Sequence, residues 1–103
     1  MEKTRLTLQT ELETFLGSRN VYYQPPESIK LKFPCIIYEL SRINKVPADN
    51  TAYLKHKEYT VTIVHLDADS ELPDKILDYF EYISFDRTYR GDNTYHDVFS
   101  ITW

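Results

Sequence analysis

The sequence predicts an α+β domain in which a mostly four-stranded antiparallel sheet carries two helices on one face. Three observations predict it: two segments with apolar residues at helical spacing, four segments rich in β-branched and aromatic residues, and turn-forming residues between these segments. A chain of 103 residues is long enough for one modest hydrophobic core, so residues 1–103 are expected to form a single domain.

The first element is a helix that starts at about Glu2 or Lys3 and ends at Leu16. Its apolar side chains fall on one stripe of the helix, at Leu8, Leu12, Phe15 and Leu16. Gly17 follows as the C-terminal cap. The next stretch, VYYQPP, is a connector or a short edge strand, because prolines cannot donate to a sheet ladder.

Two strands and a projecting arm come next. The stretch CIIYELSRI predicts a strand over residues 35–43, and YLKHKEYTVTIVHL predicts a long, half-buried strand over residues 53–66 that pairs antiparallel with it. In the longer strand, side chains alternate between two faces. One face carries Tyr59, Val61, Ile63 and His65, and the other carries Glu58, Thr60 and Thr62. Between them, NKVPADNT predicts a loop, and residues 44–56 are expected to project from the core as an arm.

The last third of the chain predicts a second helix and a hairpin. In DADSELPDKILDYF, apolar residues recur at helical spacing, at Leu72, Ile76, Leu77 and Phe80. Asp69 or Ser70 can cap this helix, and Pro73 is tolerated in its first turn. Two strands follow, YISFDRTYR and YHDVFSITW. In the first strand, Ile83, Phe85 and Tyr89 are predicted to share one face, and in the second strand Phe99, Ile101 and Trp103 are predicted to share one face. The predicted order is α-β-β-α-β-β, with Trp103 in the core.

Charge is unevenly distributed along the chain. The net charge is −4, which argues against a nucleic-acid-binding module because such modules normally carry a basic surface. Residues 30–57 carry a local net charge of +4, and residues 67–81 carry −5. These blocks are either ordinary solvated faces or complementary surfaces for neighbouring copies of the chain.

No segment predicts a targeting peptide or a membrane span. The N-terminal stretch MEKTRLTLQTELETFL has charges throughout and no unbroken apolar run, so a cytoplasmic location is the default expectation.

The acidic stretch and the histidines do not predict a metal site. Asp67, Asp69 and Glu71 alternate as in a calcium loop, but the central glycine and the closing glutamate of such a loop are missing. Helix capping explains these acids without a metal. The three histidines are isolated from one another, and His65 is expected to find a hydrogen-bond partner near the end of the sheet.

Catalytic signatures are equally weak. Cys35 is the only cysteine and lies in the apolar run FPCIIYEL, which predicts a buried thiol with a raised pKa rather than a nucleophile. With only two glycines, the chain contains no glycine-rich phosphate loop. An enzyme is therefore not expected, and neither is a cofactor.

The closing stretch FDRTYRGDNTYHDVFSITW concentrates six polar groups, namely Asp86, Arg87, Arg90, Asp92, His96 and Asp97. Strand alternation places His96 and Asp97 on opposite faces, so the six groups cannot converge on one point. They are predicted to form a solvated or partner-facing surface.

The order of several segments resembles the small tail-terminator, or tail-completion, proteins of long-tailed bacteriophages and prophages. The similarity starts at about Val21 and rests on a tyrosine-proline connector, an Ala-Asp-Asn loop before a long strand, an Asp-Ser-Glu-Leu-Pro-Asp helix start and a terminal Phe-Asp-Arg hairpin. The resemblance implies an α+β protein of the virion neck that assembles in the host cytoplasm. It implies a homo-oligomeric ring, commonly a hexamer, on the head-proximal end of the tail tube.

Such a ring stops polymerisation of the tail tube protein and presents a joining surface to the head-tail connector or stopper. DNA passes through its centre without sequence-specific binding, and a negative channel wall would repel it. The residues expected at the interface with tube, connector or neighbouring subunit are Lys45, Asp49, Asn50, Tyr53, Lys55, Arg87 and Arg90. The expected acidic face consists of Asp67, Asp69, Glu71, Asp74 and Asp78. The alternatives are another neck protein or a small cytoplasmic α+β enzyme or regulator.

Overall fold

The computed structural model describes residues 3–26, 28–47, 53–91 and 93–103. In these residues the chain forms two helices and five strands: α1 (Arg5–Leu16), β1 (Val21–Tyr23), β2 (Cys35–Pro47), β3 (Tyr53–His65), α2 (Leu72–Tyr79), β4 (Ile83–Gly91) and β5 (Thr94–Thr102). The predicted α+β class, the two helices and the mostly antiparallel sheet are confirmed. The four-stranded count and the predicted order are wrong, because the stretch after α1 adds a fifth strand.

The five strands form one sheet in the order β1-β2-β3-β5-β4. β1 lies parallel to β2, and the other neighbouring strands are antiparallel. β1 has only three residues, since Gln24 has a positive φ of 43° and two prolines follow it. It is therefore a short edge strand, one of the two forms that the sequence predicts for this stretch.

Both helices contribute to one hydrophobic core. The fully buried residues of α1 and α2 are Leu8, Leu12 and Ile76, and they join side chains of β2, β3 and β5 such as Ile36, Tyr38, Val61, Ile63, Phe99 and Ile101. Burying this apolar surface is the main stabilising contribution to the fold. Within the described residues, neither helix is long and apolar enough to cross a membrane.

The ends of α1 are fixed by specific caps. The Thr4 hydroxyl accepts a hydrogen bond from the backbone N–H of Thr7, and the Thr7 hydroxyl accepts one from the backbone N–H of Thr4. This capping box starts the helix at Arg5, later than the predicted start at Glu2 or Lys3. Gly17 closes the helix in the left-handed region, with φ at 77°, as predicted.

A β-bulge in β4 changes which side chains share a face. Phe85 lies opposite Phe99, but the next paired residue is Arg87, so Asp86 is an extra residue in the strand. Beyond this point the alternation is shifted by one residue. Tyr89 therefore lies on the opposite face from Phe85, and the prediction that the two share a face is wrong.

The arm predicted at residues 44–56 has paired strands at its base. β2 continues past the predicted end at Ile43 to Pro47, and its residues 43–47 pair in register with residues 53–57 of β3. We call this two-stranded segment the ribbon. The sheet pairing of β5 ends where Thr102 faces Glu58, so the ribbon extends beyond the sheet.

Trp103 closes the core at the end of the sheet from which the ribbon extends. Its indole Nε1–H donates to the Thr4 carbonyl oxygen at 2.9 Å and to Thr7 Oγ1 at 3.0 Å. Its ring contacts Phe80 edge to face, with 6.1 Å between the ring centroids. Trp103 is half-buried and packs against the core, which supports the predicted core role.

Candidate functional site

The ribbon presents a basic face. Lys45 lies directly across from Lys55, and Ile43 lies directly across from Lys57. All four side chains are exposed, with 53% of Ile43 accessible to solvent. Lys55 and Lys57 are two and four residues from buried Tyr59 in β3, so their side chains point to the same face of the strand. This face therefore continues the helix-covered face of the sheet. Three ammonium groups and one exposed apolar side chain therefore share a surface.

Some residues of the predicted interface lie outside the described residues or are described only in part. Asp49 and Asn50 lie outside them, as does Asp92 of the closing stretch. Tyr53 begins β3 opposite Pro47. Their role at an interface stays a prediction.

The predicted interface arginines are separate from the ribbon. Arg87 and Arg90 belong to β4, which lies at the opposite edge of the sheet from β1 and is separated from β2 by β3 and β5. The Arg87 guanidinium lies 5.6 Å from the ring centroid of Tyr89, and that of Arg90 lies 5.1 Å from the centroid of Tyr95. The structure does not bring these arginines together with the ribbon lysines within one chain.

The predicted acidic residues are all exposed and lie in two places. Asp67, Asp69 and Glu71 form the turn between β3 and α2, which we call the acidic turn, whereas Asp74 and Asp78 lie on α2. In the turn, Asp67 Oδ1 accepts a hydrogen bond from the backbone N–H of Asp69 at 2.9 Å. Glu71 forms an ion pair with Lys75 at 3.4 Å.

The ribbon and the acidic turn lie at opposite ends of the molecule. β3 runs from one to the other, and the ten residues from Lys55 to His65 span about 33 Å at the usual rise of a strand. The longest dimension of the molecule is 52 Å. Electrostatic screening acts over about 10 Å at 0.1 M salt, so the two charged ends do not neutralise each other within one chain.

A buried polar cluster lies close to the acidic turn. His65 Nε2 is 2.5 Å from Asp97 Oδ2, and the Thr88 hydroxyl donates to Asp97 Oδ1 at 2.7 Å. Only 5% of His65 and 6% of Asp97 are accessible to solvent. The carboxylate therefore accepts a hydrogen bond on each oxygen, and the two donors compensate for its burial.

The second ring nitrogen of His65 has no partner. Its Nδ1 is buried without a hydrogen bond in the described part of the chain, and the ring stacks on Tyr95 with an interplanar angle of 14°. The Asp97 carboxylate accepts a hydrogen bond from the Nε2–H group, and when the ring is neutral Nδ1 therefore carries a lone pair. This nitrogen can accept a hydrogen bond that the described chain does not supply.

His65 also lines a cleft of about 290 Å³. The other lining residues include Phe33, Leu66, Asp67, Ser70 and Leu72, so the acidic turn forms one side of the cleft. Leu66 is 62% and Phe33 is 38% exposed, which leaves apolar surface open to solvent at this place. The cleft therefore combines an apolar lining with a carboxylate.

Most polar groups of the closing stretch are dispersed, as predicted. His96 and Asp97 point to opposite faces, and the His96 ring stacks on Tyr89 with 4.6 Å between centroids. Asp86 accepts a hydrogen bond from the Ser100 hydroxyl at 2.8 Å. The prediction that Asp97 belongs to a solvated surface is wrong, because its side chain is buried against His65.

The sequence contained a signal for this pair that the alternation argument did not use. Asp97 has the same strand parity as Phe99 and Ile101, and His65 has the same parity as Ile63. Both are polar residues on predicted apolar faces, and such residues need partners in a core. The partner predicted for His65 is thus present, and it is Asp97.

Cys35 is buried, as the sequence predicts. None of its surface is accessible, and burial raises the pKa of its thiol to about 11. The neutral thiol acts as a small apolar side chain at the start of β2 and is a poor nucleophile at neutral pH.

Among the described residues, no group of three or more His, Cys, Asp or Glu side chains is placed to hold a metal ion.

No protein-family model matches the sequence, and no curated protein matches it. Within the described residues, the ribbon, the acidic turn and the cleft are the candidate functional surfaces.

Proposed function

We propose that this chain is a structural subunit that associates head to tail into a ring on the head-proximal end of a phage-type tail tube. The ring ends polymerisation of the tube and offers the surface for head-tail joining. The observation that carries this proposal is the separation of charge: a basic ribbon at one end and an acidic turn at the other.

A subunit with two different, complementary ends favours heterologous contacts between copies. Such contacts close into a ring when the rotation between neighbours divides a full turn, and otherwise they form open filaments. The two ends are too far apart to satisfy each other in one chain. Contact with other copies is the simplest way for opposite charges of this arrangement to meet.

The resemblance to tail-terminator proteins supports the ring over a filament. The predicted partners are other copies of this chain, the tail tube protein and the head-tail connector or stopper. A net charge of −4 for each copy gives the ring a negative potential, which suits a channel through which DNA passes without binding.

Two other functions compete with this proposal. Another neck component, such as a connector or stopper, would use the same kind of self-association and differs in failing to cap tubes. A small enzyme or regulator is favoured by one observation, the buried pair of His65 and Asp97 beside a cleft. That function predicts a thermal stability that rises with a small-molecule ligand and a mass that stays at 12.3 kDa.

Negative-stain electron microscopy tests the proposal. The purified protein is imaged alone and after addition to polymerising tail tube protein from the same source, with tubes grown without it as the control. We expect rings, or tubes capped at one end and halted at a uniform length. Uncapped tubes with the same length distribution as the control would contradict the terminator function.

A further inference from the structure

We propose that the cleft beside the acidic turn receives the basic ribbon of a second copy of this chain. The inference rests on the proposed head-to-tail association and names the surfaces that meet. It is carried by the complementarity of charge and of exposed apolar surface between the cleft and the ribbon.

The cleft selects positive charge and apolar surface. Asp67 forms part of its lining, and Asp69 adjoins it in the acidic turn. Leu66 and Phe33 expose apolar surface beside these carboxylates. An occupant that carries both an ammonium group and an aliphatic side chain fits this combination.

The ribbon has this composition on a single face. Lys45, Lys55 and Lys57 place three ammonium groups there, and exposed Ile43 lies among them. Lys55 and Lys57 lie on the same face of one strand, and carboxylates of a partner would attract both ammonium groups. A lysine ammonium has three N–H donors, enough to bond more than one carboxylate oxygen.

The occupant has to come from another copy. The ribbon and the cleft lie at opposite ends of β3, about 33 Å apart along a paired strand. A strand that is paired on both sides over most of this length does not fold back on itself. Each copy therefore offers one ribbon and one cleft to different neighbours.

A charge-exchange experiment tests the match. The ribbon variant carries Lys55→Glu and Lys57→Glu, and the turn variant carries Asp67→Lys and Asp69→Lys. Controls with the same changes of charge elsewhere are Arg19→Glu with Lys30→Glu, and Asp78→Lys with Glu81→Lys, all at exposed positions. Self-association is measured by sedimentation velocity over a concentration series, and circular dichroism checks that every variant is folded.

We expect each test variant alone to associate about tenfold more weakly than the unchanged protein, because its two ends then carry charge of the same sign. A one-to-one mixture should recover the association. In the mixture, the negative ribbon of one variant meets the positive turn of the other, and the unchanged ribbon and turn also meet. The control variants should associate as the unchanged protein does.

The outcomes separate this inference from the proposed function. If the unchanged protein forms oligomers and both test variants do so equally well, the ribbon-cleft contact is wrong and the ring stands. If both variants weaken but the mixture does not recover, the two surfaces do not meet each other, and the inference is also wrong. If the unchanged protein stays at 12.3 kDa throughout and leaves tubes uncapped, both fail.

Discussion

The two halves of the β2–β3 pair differ in what surrounds them. In the half nearer the acidic turn, Ile36 is fully buried beneath the helices, with neighbours such as Ile63. In the ribbon, Ile43 of the same strand is 53% exposed. Backbone pairing is continuous through both halves apart from a bulge between Leu40 and Arg42, so the difference lies in packing and not in secondary structure.

The core half of the β2–β3 pair stabilises the fold, whereas the ribbon exposes its side chains to solvent. A two-stranded segment without a packed face is at best marginally stable in water, so the ribbon gains little from folding alone. The core half provides the rigid base from which the ribbon extends. We infer that the ribbon serves contact with other molecules and that the other half serves stability.

The largest expected difference is between two isoleucines of β2. Ile36→Ala should lower the free energy of unfolding by about 4 kcal/mol, because it leaves a cavity in the core. Ile43→Ala should lower it by less than about 0.5 kcal/mol, since an exposed side chain leaves no cavity. Urea denaturation of both variants measures the two values, and similar losses would contradict the comparison.

Trp103 marks the boundary between the two halves, and its truncation should cost slightly less than that of Ile36. Trp103→Ala removes the edge-to-face contact with Phe80 and two hydrogen bonds to the start of α1. We expect a loss of about 3 kcal/mol by urea denaturation. Trp103→Phe, which keeps a ring but loses the N–H donor, is the matched control and should lose about 1 kcal/mol. A neutral Trp103→Ala would place the indole outside the core.

The buried pair at the other end of β3 is expected to have an effect of intermediate size. Asp97→Ala leaves His65 Nε2 and the Thr88 hydroxyl without their acceptor, which should cost about 2 kcal/mol of unfolding free energy. Asp86→Ala, at the bulge of the exposed edge strand, removes a carboxylate that accepts from one serine and should cost less than about 0.5 kcal/mol. Equal losses in thermal or urea unfolding would mean that the burial of Asp97 does not matter.

Alkaline pH should lower the free energy of unfolding through groups buried in the core half. Burial raises the pKa of the Cys35 thiol from an ordinary 9.0 to about 11, and it also raises the pKa values of Tyr38 and Tyr59. The unfolded chain then loses these protons at lower pH than the folded chain does. The contribution of Cys35 to stability is therefore complete below pH 9 and lost between pH 9 and 11.

The expected loss from this thiol is about 2 kcal/mol. It is measured as the fall in unfolding free energy from pH 8.5 to 11 in the unchanged protein and in Cys35→Ala. The tyrosines contribute to both proteins, so their effect cancels in the difference. An identical fall in the two proteins would show that the thiol titrates normally in the folded chain.

Local patterns in the sequence predicted the helices and the long strands well. The spacing of Leu8 and Leu12 predicted α1. The positions of Val61 and Ile63, two residues apart, correctly predicted which face of β3 is buried. The features that local patterns left undecided or missed depend on contacts between distant segments. β1 exists because its three residues find the edge of β2, and the bulge at Asp86 shifts the faces of β4 through its pairing with β5.

The candidate surfaces were only partly predictable, because they too depend on contacts between distant segments. The two charge blocks can be counted in the sequence, whereas their position at opposite ends depends on the extension of the ribbon beyond the sheet. The pairing of His65 with Asp97 depends on the position of β5 beside β3, which the hairpin pattern of the closing stretch does not determine. The cleft forms where Phe33 and Pro34, before β2, meet the acidic turn, and this contact between distant segments is not visible in local patterns.

Amide hydrogen exchange in β2 and β3, measured in dilute and in concentrated protein, tests the central claim most directly. The claim predicts slow exchange in the core half at both concentrations, because those amides open only with the global unfolding of the domain. It predicts fast exchange in ribbon residues 43–45 and 55–57 when the protein is dilute, and protection of these residues as copies associate. A ribbon that is protected as strongly as the core in dilute protein, or one that stays unprotected while the protein associates, would contradict the claim.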